Sequence, residues 1–101
     1  MAVKRKISKD GRILTIGITG RFDITTYKDF GEAYKDKLDS VSKCVVDMAE
    51  VEYVDSSALG MLLMLRERSG GDSAAIDIVN CSPGIKNILK TANFDRLFHI
   101  E

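Results

Sequence analysis

The chain has a single histidine and only two cysteines. Cys44 and Cys81 lie far apart with no C-x-x-C between them, and His99 stands near the C-terminus. That spacing supports neither a zinc site nor a redox pair, so no metal is expected and both thiols should be free, as suits a cytoplasmic protein. The chain also lacks an excess charge. Fifteen basic and fifteen acidic residues give a formal net charge of zero, so no overall field steers it to nucleic acid or to an anionic membrane, and a partner has to be recognised locally. Long apolar runs are missing too: the longest lies within residues 58–65, far short of the roughly 20 residues that span a bilayer. The basic opening "KRK" is followed by "ISKDGRILTIGITG", which is charged and carries no small-residue cleavage motif. It does not read as an export signal.

The motifs of common chemistries are absent as well. There is no G-x-x-x-x-G-K-[ST] and no G-x-G-x-x-G after a strand, so dedicated nucleotide binding has no support and no cofactor is expected. Neither serine of "DSSALG" sits in a G-x-S-x-G elbow, and the one histidine reads as a strand residue, not a base. A non-enzymatic protein is the expectation. The stretch "VVDMAEV" places Asp47 much as a phosphoaccepting receiver places its aspartate. A receiver, however, holds magnesium through several oxygen ligands. Here the loop "GRFDITT" offers only Asp23, no fifth crossover unit exists, and the chain opens on a hairpin. Asp47 is therefore expected to bond a neighbouring loop.

What is present is the composition of one globular domain over residues 1–101, with 45% hydrophobic and 30% charged residues, enough for a single modest core. Leu14, Ile16 and Ile18 alternate with Thr15, Gly17 and Thr19, the period of a half-buried strand. Asp10-Gly11 before it signals a two-residue type I′ hairpin, which pairs this strand antiparallel with one over residues 3–8. Tyr27, Phe30, Tyr34 and Leu38 recur at helical spacing and predict a helix over residues 25–38. "KCVVDMA" and "AAIDIVN" read as central strands covered on both faces. A second helix is expected over residues 56–68, stopped by "SGGDS". A third follows in "SPGIKNILKTAN", with Ser82 as N-cap and Pro83 in its first position, and "LFHI" adds a last strand. The fold class is α/β: a small mixed sheet, an antiparallel hairpin followed by parallel strands, packed with about three to four helices. Function in such sheets gathers at the carboxyl ends of the strands, where "GRFDITT" and "EVEYVDSSALG" lie.

Asp55, Ser56 and Ser57 open the second helix. One of them suffices as a cap, worth about 1 kcal/mol. A phosphate is also compatible with a helix N-terminus, and its charge beside Asp55 and Asp23 would make the patch strongly acidic.

"GRFDITT", "VVDMAEVEYVDSSALGMLLMLRE" and "IVNCSPGIKNILKTANFDRLF" together resemble the STAS domains of bacterial anti-sigma factor antagonists over nearly the whole chain. The resemblance implies that Ser56 is phosphorylated by a partner serine kinase of the GHKL type that is also an anti-sigma factor, and that a PP2C-type phosphatase removes the phosphate. It implies a partner-binding surface of Asp23, Asp55, Ser56, Ser57 and Ala58, with unphosphorylated protein as the binding form. It also implies that Gly60 lets the second helix pack closely. Ala58 replaces a glycine of the best-known members, a change that raises helix propensity by up to about 1 kcal/mol. Other STAS proteins regulate non-sigma targets or serve as transporter subunits, and both stay open as alternatives.

Overall fold

Strands β1 (Val3–Ile7) and β2 (Ile13–Phe22), the second alternating in burial as far as Ile18, form the opening hairpin of the computed structural model, which describes residues 2–101. The two strands pair antiparallel from Val3 opposite Ile18 to Ile7 opposite Leu14. The turn is not type I′, because Gly11 has φ 74° while Asp10 stays outside the left-handed region. Instead the Ser8 N–H donates to Ile13 O and the Gly11 N–H to Ser8 O, both at 2.9 Å. The Asp10 carboxylate takes the Ser8 hydroxyl and the Arg12 N–H. Those local bonds favour the longer turn over a two-residue one.

A 3-10 turn, Ile24–Thr26, leads into α1 (Tyr27–Tyr34), followed by β3 (Lys43–Val54), α2 (Ser56–Arg68), β4 (Ile76–Val79), α3 (Pro83–Thr91) and β5 (His99–Ile100). The sheet order is β1-β2-β3-β4-β5, with β2 through β5 parallel. Each crossover advances one strand in the same direction. Right-handed connections therefore stack all three helices on one face. Leu14, Ile16, Ile18, Val46, Met48 and Ile78 point into that layer, where Phe30, Leu62, Leu65 and Leu89 meet them in one buried cluster. Each such side chain contributes about 1.5–3 kcal/mol on burial.

This one-sidedness corrects the expectation of strands covered on both faces. In β3 the burial alternates from Lys43 to Met48, and Val45 on the uncovered face is only half-buried. The first helix is also shorter than expected. Its α-helical part ends at Tyr34, and Arg5 of β1 meets that end, donating to Ala33 O at 3.4 Å and to Asp36 at 2.9 Å. Phe30 and Tyr34 are buried as the spacing requires, but Tyr27 is 48% exposed. Ser82 caps α3 by accepting the Ile85 N–H, with Pro83 in the first position. Cys44 is buried, Cys81 half-buried, and both are free. Burial alone pushes the Cys44 thiol up to about 12.

Candidate functional site

Strands β2 and β3 end together. Arg21 pairs with Tyr53 and Phe22 with Val54 in the parallel register, so Asp23 and Asp55 each follow directly on a paired residue and leave the same edge of the sheet. Both strands run further than sequence alternation implies. Between Gly17 and Phe22, β3 spends seven steps against five in β2, through two irregularities in the register.

Each aspartate is used as a cap. Asp55 has extended backbone (φ −132°, ψ −171°), and its Oδ1 accepts the N–H groups of Ser57 at 2.9 Å and Ala58 at 3.2 Å. Asp23 accepts the Thr25 N–H at 3.0 Å and the Thr25 hydroxyl, opening the 3-10 turn ahead of α1. The Thr25 bonds, then the Arg21 guanidinium, hold the Asp23 carboxyl below the usual carboxylate range. Arg21 reaches Asp23 Oδ2 at 3.2 Å and also lies over the Tyr53 ring, 3.9 Å from its centroid.

With Asp55 as N-cap, Ser56 becomes the first helical residue and Ser57 the second. Ser56 is exposed and Ser57 half-buried. Among the described residues neither hydroxyl has a hydrogen-bond partner within the chain. Ala58, expected at the partner surface, is instead fully buried. It is the third residue of a helix whose inner face is held against the sheet, so its methyl belongs to the core. Gly60 also departs from its implied role, since it is exposed and a Cβ added there would meet nothing within 4 Å.

Three exposed apolar side chains surround these strand ends: Ile24 at 64%, Tyr27 at 48% and Tyr53 at 39%. Sequence reading missed all of them as surface. Tyr27 counted as core by its spacing, and Ile24 sat inside an unassigned loop. The Arg21–Tyr53 pair carried no sequence signal, because it depends on the two register irregularities between β2 and β3. Asp47 accepts from Asn80 Nδ2 and from the Ala49 N–H, each at 3.0 Å. It is thus bonded to the loop after β4, as expected of a structural aspartate. His99 lies in β5 opposite Asp77.

A family model described as Mlab, STAS domain matches residues 6–99, and the chain belongs to the STAS domain family. A STAS-domain containing protein of Pseudomonas aeruginosa is 47% identical over 100 residues, covering 99% of both chains. The anti-sigma factor antagonist SpoIIAA in its unphosphorylated form has the same fold, with a TM-score of 0.81 at 13% identity over 99% of this chain and 88% of that one. An anti-sigma factor antagonist STAS domain of Rhodobacter sphaeroides shares 28% identity, with a TM-score of 0.59 over 77% of this chain and 84% of its own. No helix among the described residues is long and apolar enough to cross a membrane.

Proposed function

We propose that this STAS domain is a cytoplasmic, non-enzymatic partner-switching regulator of the anti-sigma factor antagonist kind. Its unphosphorylated form binds a GHKL-type serine kinase that doubles as an anti-sigma factor. Phosphorylation of Ser56 ends that binding, and a PP2C-type phosphatase restores it. The observation that carries this reading is the exposed Ser56 hydroxyl, unbonded among the described residues, in the first position of a helix whose cap is already supplied by Asp55.

The two serines then have different tasks. Asp55 occupies the amides of Ser57 and Ala58, so a phosphate on Ser56 finds those donors taken and keeps its charge on the surface. It adds about −1.5 to −2 charges next to a carboxylate. The helix dipole offsets part of that within the isolated fold. Across an interface, like-charge juxtaposition costs several kcal/mol, and each 1.4 kcal/mol is about tenfold in affinity, so a hundred- to thousandfold switch requires no refolding. Ile24, Tyr27 and Tyr53 supply apolar contact beside it, Asp23 and Arg21 the polar rim.

Incubation with the cognate kinase and ATP should add a single phosphate, which peptide-level mass spectrometry places on Ser56. Ser56→Ala should abolish the mass increase and bind the kinase constitutively, whereas Ser57→Ala keeps the modification. Labelling on Ser57, or equal calorimetric affinity of Ser56→Ala and Ser56→Asp, would sink the reading. Recovery from the source cell of unmodified protein bound to a transporter ATPase would replace it with a transporter-subunit role on the same surface. A kinase partner with a non-sigma final target would keep the switch and change only its output.

A further inference from the structure

Helices α1 and α2 do not close against each other along their outer side. They leave an open trench of about 240 Å³ whose floor is Phe30, Tyr34 and Met61 and whose walls include Tyr27 and Met64. Its rim carries Lys28, Lys35 and Arg68 against a single acid, Glu32. All three cations are exposed, and none enters an ion pair among the described residues. In a chain of zero formal net charge, this is a local concentration of positive charge around an apolar slot.

We propose that the trench is a second docking surface that takes an acidic amphipathic helix from a partner protein. The volume is below the roughly 300 Å³ at which pockets begin to enclose whole small molecules. It suits the one or two apolar anchors that a helix lays into a groove. Met61 and Met64 let the slot adapt to those anchors. Lys28 in α1 and Lys35 at its C-cap are seven residues apart, and about 3.6 residues make a turn, so the two lie on one side. Carboxylates seven residues apart on the incoming helix therefore face both, while Arg68 reaches it from α2. The interaction weakens at high salt, because the rim charges are exposed. It needs neither the Ser56 hydroxyl nor its modification, although Tyr27 borders both surfaces.

The test titrates the isotope-labelled full chain with a synthetic helical peptide carrying leucine and phenylalanine anchors four residues apart and glutamates seven residues apart. Saturable binding is expected, with amide shifts confined to α1 and the facing half of α2. The triple variant Lys28→Glu/Lys35→Glu/Arg68→Glu should lose about tenfold or more in affinity and prefer the peptide in which lysines replace the glutamates. If the triple variant proves poorly folded by circular dichroism, Lys35→Glu alone should show a smaller loss of the same sign. Equal binding by the variants, or shifts that map to another surface, would overturn the proposal. So would displacement of the peptide by dodecanoate at lower concentration, which makes the slot a site for a small amphiphile. A concentration-dependent dimer abolished by Lys35→Glu would make it a self-interface and overturn the proposal equally.

Discussion

Asp55 shows how one side chain sorts its neighbours. By accepting from Ser57 and Ala58 it starts α2 one residue earlier than a serine cap at position 56 would, and so turns Ser56 outward. A carboxylate is not required for that geometry, since any side-chain oxygen at the same reach accepts the amides. Asp55→Ala should thus cost about 1 kcal/mol, or about 4–8 °C in melting temperature for a domain near this size. Asp55→Asn should melt close to the parent while removing the charge. Thermal melts of the two variants check this, and equal losses would show that the charge, not the hydrogen bonds, holds the helix start. Gly60, exposed in mid-helix with free space around it, has no packing role among the described residues.

Single elements explain which parts of the fold were legible. The bounds of α2 followed from the cap residues before it and the glycines after it, and the structure repeats them at Ser56 and Arg68. The far halves of β2 and β3 were not legible. Register irregularities insert extra residues into β3, so burial falls on Met48, Val51 and Val54. That three-residue spacing does not read as a strand. Tyr27 failed differently: its helical phase is right, but it opens the first turn of α1 and stays 48% exposed. The candidate residues were singled out as a set only because D-S-S resembles a known motif; spacing alone left the choice between the serines open. At the end of β4, Asn80 has φ 62° and donates to Asp47. Left-handed backbone costs an ordinary residue roughly 1–2 kcal/mol, and glycine nothing. Asn80→Ala should therefore destabilise by more than Asn80→Gly, since the first loses the bond and adds strain while the second loses only the bond. Urea unfolding midpoints distinguish them. The reverse order would show that the loop does not depend on that backbone state.

At the scale of the whole molecule, stacking every helix on one face concentrates the apolar core in a single layer, and the thiols go with it. Cys44 lies 2% exposed among those side chains, and burial raises its pKa from 9.0 to about 12. Burial raises Cys81 as well, and the Tyr34 phenol. Between pH 9 and 12 the unfolded chain gives up the Cys44 proton while the folded chain keeps it. Stability from this group is complete below pH 9 and falls by about 1.4 kcal/mol for each further unit. On the acid side the carboxyls of Asp10, Asp23 and Asp36 are held below the ordinary 3.8, chiefly by bonds from Ser8, Thr25 and Arg5. Their contribution is present above that value and lost as pH falls through it. The stability profile should accordingly be flat between about pH 5 and 8, with an alkaline decline steeper than the acid one, because Asp10 and Asp36 are exposed, only Asp23 is half-buried, and solvent screens such surface carboxylates. Denaturant unfolding at pH 8 and pH 10.5 measures the alkaline limb. Cys44→Ala should start less stable, from the small cavity it leaves, yet lose less between the two pH values than the parent. What remains of its slope belongs to Cys81 and Tyr34. An unchanged slope in Cys44→Ala would mean that the buried thiol is not the group whose ionisation opens the fold.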